Sequence, residues 1–371
     1  STKINENCIL RPINFRIMKS LFKIVLSVVI ILSTFSCQNN DTVAATPPRP
    51  YDEVYEEDLA KIEDFLATHY VTVDADYNTT FTQIPAGGTQ TPIANMTELD
   101  TIQRKFHDIT YKIYYLKLRE GTGENPTRVD STFVAYKGNT FTKNTTNNVV
   151  TYSQNVFDQS DTPVWFALED VIKGWGEVIP KFKTGTNVAN PDGTVSFQNY
   201  GAGVMFLPSG LAYFNNASGN IAPYSPLIFS FKLYNQRYRD HDRDQILSKI
   251  EYREKETNGL VDFNKEPLDT DSDGQPNYLD VDDDADGVLT KVEIAFTYMD
   301  GTTQKTKHYP YDGATVDDPA TPYDDRKGIP RKFTGPIISP STLPSPQDSD
   351  FTASDRLRRH LDKTCKPPYT N

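Results

Sequence analysis

The sequence predicts an α+β fold: an antiparallel β-rich middle built around a short helix, with a helix before it and a long loop-rich region after it. Three observations lead there. From Tyr111 onward, apolar and aromatic residues recur in short strand-like segments, with Ile113, Tyr115 and Leu118 in one and Phe133, Val134 and Tyr136 in another. Ahead of them, Leu59, Ile62, Phe65 and Leu66 share one face at helical spacing. Beyond about Asp240 the chain becomes dominated by charge, then by an acidic Gly-containing stretch, and from Thr315 by Pro, Asp, Ser and Thr. The 371 residues suffice for two or three domains, and 37% hydrophobic content allows a real core, while 25 prolines point to long loops. A net charge of −12 disfavours nucleic acid as a partner, because it repels phosphate.

The first 36 residues read as an address. Lys19 and Lys23 flank the start of an apolar run from Leu21 to Leu32, followed by Ser33-Thr34-Phe35-Ser36-Cys37. A run of about a dozen residues describes a secretory signal, since a membrane span needs about 20. The segment ending in Cys37 resembles a lipobox, which implies a lipidated Cys37 as mature N-terminus. Phe35 is large for its position, so a plain signal peptide or an uncleaved anchor are the alternatives. Met18 is the natural start of such a signal, and residues 1–17 read as an over-extended gene start. Residues 37–50 form a polar, Pro-containing tether. The loose lipobox and Asn/Asp-rich beginning resemble lipoproteins of the Bacteroidetes; this implies an outer-membrane, lipid-anchored protein, with the periplasmic and cell-surface leaflets both open.

Residues 51–110 are expected to hold a helix from Tyr51 to Tyr70, its start crowded by Asp52, Glu53, Glu56, Glu57 and Asp58, then short strands and a loop at Ala86-Gly87-Gly88. In the middle domain, 111–236, a turn falls at Gly121–Pro126, a helix near Trp175–Phe182, and closing strands at Val204–Leu207 and Leu227–Leu233. Residues 237–371 form the loop-rich remainder. There, Arg237, Arg239 and Arg243 with Asp240, Asp242 and Asp244 read as a solvated charged stretch. The five histidines lack metal spacing, Cys8, Cys37 and Cys365 form no disulfide framework, and neither a Ser-His-Asp set nor a Gly-rich phosphate loop is present.

One ordered set of residues does suggest chemistry. Tyr136-Lys137-Gly138, Phe157-Asp158, Val171-Ile172-Lys173-Gly174-Trp175, Leu207-Pro208 through Leu211-Ala212-Tyr213, Ile221-Ala222-Pro223 and Leu227 to Leu233 follow one another. Over about 125 residues this order resembles FKBP-type peptidyl-prolyl isomerases. The resemblance implies a curved antiparallel sheet wrapped on a short helix, with an apolar cup for proline. Trp175 would be its floor; Tyr136, Phe157, Val171, Ile172, Tyr213 and Phe229 its walls; Ile221 would overhang it. Asp158 would orient the substrate, and the Ile172 N–H and Tyr213 hydroxyl would bind peptide carbonyls. Val164 and Phe166 compete for a further wall. Departures from the family are Gly176-Glu177-Val178-Ile179-Pro180 after the Trp, Phe214 where the family has Gly, and about 15 extra residues near Thr186–Tyr200. They put turnover in question more than fold. Ordinary core packing is the bland account of each aromatic taken singly.

A second pattern lies in the C-terminal region. Asp282, Asp284, Asp286, Gly287 and Glu293 follow the D-x-D-x-D-G spacing with Glu twelfth, which suits a hard cation wanting about 6–8 oxygens. The expected ligands are those four acids, the Val288 carbonyl, and Thr290 directly or through water. Upstream, Asp269, Asp271, Asp273, Gly274 and Asp280 repeat the pattern. The pair resembles thrombospondin type 3 repeats more than EF-hands, implying structural Ca²⁺; an acidic solvated linker is the alternative. The expected function is a lipid-anchored isomerase or folding factor acting on Xaa-Pro segments of envelope proteins, on or within an outer-membrane assembly. The alternative is a catalytically weak scaffold subunit of such a complex.

Overall fold

The computed structural model describes residues 47–252, 267–335, 346–367 and 369. The segment expected to be a secretory signal, with Cys8 and Cys37, lies outside the described residues.

Helix α1 (Tyr51–Thr68) starts after Pro50, with Asp52 and Glu53 in its first turn, where acid suits the helix dipole. Strands β1 (His69–Val73) and β2 (Thr79–Gln83) form a small hairpin. Then come β3 (Leu99–Phe106), β4 (Ile109–Arg119), β5 (Ser131–Thr146) and β6 (Val149–Ala167). Helix α2 (Lys173–Val178) leads through the hairpin of β7 (Thr186–Ala189) and β8 (Val195–Gln198) to β9 (Gly201–Leu207) and β10 (Leu227–Arg237). The main sheet is antiparallel, with strand order β3-β4-β9-β10-β5-β6. It begins at Leu99, upstream of the Tyr111 boundary drawn from sequence. The extra residues near Thr186–Tyr200 are the β7–β8 hairpin.

The sheet is covered on both faces, which explains why every residue of β9 is buried. On one face, Ile62, Phe65 and Leu66 of α1 pack with Phe81, Leu116, Phe141, Val204, Phe206 and Ile228. On the other, α2 contributes Trp175 and Val178 to a core with Ile113, Met205, Leu207, Phe229 and Phe231. Val204 and Phe206 face α1 while Met205 and Leu207 face α2, the alternation a strand imposes. Pro180 sits in a 3₁₀ turn (Ile179–Lys181) that follows α2, so the helix ends before proline can disrupt it.

The C-terminal region contains α3 (Ser248–Glu251), α4 (Thr290–Glu293), the β11 (Ala295–Asp300) and β12 (Thr303–His308) hairpin, and α5 (Asp348–Thr352). Although poor in regular structure, it has its own core of Ile246, Ile294, Phe296, Tyr309, Ile329, Phe333 and Phe351. Cys365 is a buried free thiol. The stretch after β10, expected to be solvated, is not uniformly so: Asp244 is only 2% exposed. Among the described residues no helix is long and apolar enough to cross a membrane. Arg49–Asn371 forms one compact unit.

Candidate functional site

A cavity of about 280 Å³ opens on the α2 side of the sheet, lined by Tyr136, Phe157, Asp158, Phe166, Asp170, Val171, Ile172, Trp175, Tyr213 and Phe229. Trp175 lies at its base, 3% exposed. The Tyr136, Phe166 and Phe229 rings meet it edge to face, with centroids 5.6, 5.8 and 5.4 Å away. Phe157 stands at right angles to Phe229 at 5.4 Å. Such arrangements fix ring orientation beyond what burial alone would do.

The sequence builds this cup in three ways. Gly174 lets α2 approach the sheet, because a Cβ there would lie 2.5 Å from the Leu207 side chain. Gly138 on β5 pairs with Phe229 on β10, and a Cβ on it would lie 2.6 Å from Phe157 Cζ and 2.8 Å from Phe229 Cε1. A β-bulge is the third device: Gly138 pairs with Asp158 and Asn139 with Val156, leaving Phe157 as the extra residue. The bulge breaks the alternation that would send consecutive side chains to opposite faces, so Phe157 and Asp158 both line the cavity.

Polar groups in the cup are few. The Tyr136 hydroxyl donates to Asp158 Oδ2 at 2.6 Å. Burial, then Asp158, holds that hydroxyl well above its usual pKa, so it remains a donor. Helix α2 is anchored by Glu177, which accepts from Arg128 at 2.9 and 3.0 Å and also pairs with Arg104 of β3. The loop carrying Tyr213 is braced by α1. Phe214 has a φ of 49°, a conformation that glycine adopts freely, and its ring stacks on Tyr51 at 3.9 Å. Asp58 of α1 accepts the Ser209 N–H at 2.8 Å. Of the residues expected from sequence, Tyr136, Phe157, Asp158, Val171, Ile172, Trp175, Tyr213 and Phe229 converge here. Ile221 is not among the lining residues; it is buried in the same apolar cluster as Trp175 and Phe229. Phe166, rather than Val164, supplies the further wall. Asp170 was not anticipated; its place just before Val171 was the available cue.

In the C-terminal region, Asp282, Asp284 and Asp286 bring oxygens within 4.8 Å of one another, as do Asp269, Asp271 and Asp273. Gly287 and Gly274 have φ of 89° and 96°, the curl for which the spacing reserves glycine. Oδ2 of Asp284 and of Asp286, and both oxygens of Glu293, are buried without a hydrogen-bond partner among the described residues. Burial, then Asp284 and Asp286, pushes the Glu293 carboxyl up to about 9. Lys366 approaches Asp286 Oδ2 only to 3.9 Å. Uncompensated carboxyls of this kind fit a divalent cation. The Thr290 hydroxyl accepts the Asp283 N–H at 3.2 Å, which ties the loop's end to its start. The upstream loop, with Asp273 exposed and Asp280 half-buried, is more open.

A family profile described as BamM C-terminal matches residues 241–323. Comparison with curated proteins gave no match. Among solved structures, a peptidyl-prolyl cis-trans isomerase from Pseudomonas syringae is 20% identical, covering 52% of this chain and 98% of its own, with a TM-score of 0.29. FkpA from Escherichia coli is 24% identical, over 39% of this chain and 54% of its own, with a TM-score of 0.27. The N-terminal domain of FKBP42 from Arabidopsis thaliana is 16% identical, over 34% and 86%, at 0.25. All three stand at low overall similarity.

Proposed function

We propose that the chain is a lipid-anchored peptidyl-prolyl isomerase of the cell envelope, acting on Xaa-Pro segments of proteins on or within an outer-membrane assembly. The cup on Trp175 is the observation that carries this reading. Rotation about a prolyl amide needs no covalent chemistry, only a lower barrier than the ~18–20 kcal/mol of amide resonance. An apolar cavity disfavours the polar planar amide, and a few fixed polar groups hold the flanking peptide. Three rings around Trp175 supply the first requirement; Asp158, oriented by Tyr136, and the Tyr213 hydroxyl supply the second. The match to BamM C-terminal supports association with an outer-membrane complex. The loops 269–280 and 282–293 hold Ca²⁺ in a structural role under this reading.

Isomerisation of a peptide with an apolar residue before proline is the direct test. Folded protein that gives no rate above background would sink the enzymatic reading. A scaffold role is favoured by one specific observation: the matched family profile covers the C-terminal region and not the cup. Purification from native membranes separates the two, because a scaffold subunit is recovered with partners, and recovery only as a free monomer argues against that role.

A further inference from the structure

The stretch expected to be a solvated run of charge has the same plan as the two acidic loops downstream. Asp240, Asp242, Asp244 and Glu251 occupy the first, third, fifth and twelfth positions of a loop that ends on α3. Gln245 stands where the other two loops have Gly274 and Gly287, and it has the same left-handed backbone, with a φ of 86°. The fourth positions, Arg243, Ser272 and Ala285, also share a positive φ, at 67°, 64° and 52°. In all three loops the sixth N–H donates to the first Asp, the fifth N–H to the third Asp, and the seventh N–H to the fifth Asp. The second N–H meets the ninth side chain each time: Ser248, Asn277 and Thr290.

Loop shape alone would not make a site. The independent observation is a set of buried acids that face one another. Glu251 is 4% exposed and Asp283 2%, and among the described residues neither oxygen of either one has a hydrogen-bond partner. Oxygens of Asp242, Glu251 and Asp283 lie within 4.8 Å of one another, as do those of Asp240, Asp242 and Asp244. Buried, unpaired carboxyls are costly unless protonated or coordinated to a metal. The groups acting most strongly on Glu251 are Asp244, Asp283, Asp242 and Asp240, all of its own sign.

We propose that residues 240–251 form a third Ca²⁺ site, completed by Asp283 from the loop at 282–293. Its donors are the carboxylates of Asp240, Asp242, Asp244, Glu251 and Asp283 with the Ile246 carbonyl, a count and oxygen chemistry that suit calcium better than magnesium, which keeps several waters. Asp283, second in its own loop, turns away from that loop's ion and toward the neighbour's. The ion therefore joins the end of β10 to a segment about 40 residues later in the chain. It also sits one residue from Tyr252, whose ring lies under Arg128, the partner of Glu177 on the pocket helix.

This inference extends the calcium reading of the downstream loops, and one experiment separates the two. Calcium bound to the full chain is counted by equilibrium dialysis and atomic emission, with Glu251→Gln and Glu293→Gln beside the parent. The expected result is at least one ion fewer for each variant. A parent that binds calcium, together with E251Q that binds as much, overturns the third site while leaving the downstream loops standing. A parent that binds none overturns both. Near-ultraviolet circular dichroism checks that the variants fold. If E251Q does not, Asp283→Asn takes its place: it is expected to weaken one ion by about tenfold or more, and unchanged affinity for every ion overturns the proposal.

Discussion

Around Trp175, the buried acids that brace the pocket have partners: Glu177 meets Arg104 and Arg128, and Asp58 meets the Ser209 N–H. In the loops at 240–251 and 282–293, buried acids face other acids. The first region pairs these acids with its own residues and rests on two apolar cores. The second has a smaller core and leaves charge to be balanced from outside. On the calcium reading proposed above, the stability of the second part is set by the solution around it, and that of the first is not.

The largest test of that contrast is removal of divalent ions. Each ion held at a hundredfold above its Kd contributes about 2.7 kcal/mol, so EGTA is expected to lower the melting of the C-terminal region by many degrees. Near-ultraviolet signals from Trp165 and Trp175 should persist through that first transition. A melting profile that EGTA does not move would erase the distinction. Trp175→Ala should act on the other region, costing about 3–5 kcal/mol through the cavity it leaves. It should also abolish isomerisation while the number of bound calcium ions stays as in the parent; residual full activity would remove Trp175 from the site.

Smaller effects sharpen the comparison. Gly138→Ala pushes a methyl into the Phe157 and Phe229 rings and is expected to cost about 1–3 kcal/mol. Peptide affinity, measured by fluorescence titration, should drop with it, and unchanged affinity would mean that those rings do not form the wall. Tyr136→Phe removes one hydrogen bond, worth about 0.5–1.5 kcal/mol. Its expected signature is a raised KM with little change in kcat, since the bond orients Asp158; a fall in kcat alone would contradict that role.

Much of the cup was legible because its residues lie in short ordered motifs, and Trp175 with its neighbours in chain and space converges as expected. What could not be read were relations between strands. The choice of Phe166 over Val164 depends on register along β6, and register shifts twice between β5 and β6. Ile221, expected to overhang the cup, does not line the cavity but is buried in the same cluster as Trp175 and Phe229, beside its bridge to Ser218. The downstream acidic loops were legible through Gly274 and Gly287. The loop at 240–251 escaped the same reading because Gln245 takes the left-handed position that glycine usually marks. Asp283 was invisible for a different reason: its proposed service is to a loop far away in sequence.

The bulge at Phe157 has a consequence for how this pocket can vary. Substitutions in β6 change what a wall is made of, but the length of the strand decides which residues are walls at all. Removing one of the two residues between Val156 and Gln159 would restore regular pairing with β5 and leave a single side chain, the ring or the carboxyl, opposite Gly138. The pocket is therefore far more sensitive to insertions and deletions in this strand than to most single replacements, and relatives that differ here in length should differ in what they can grip.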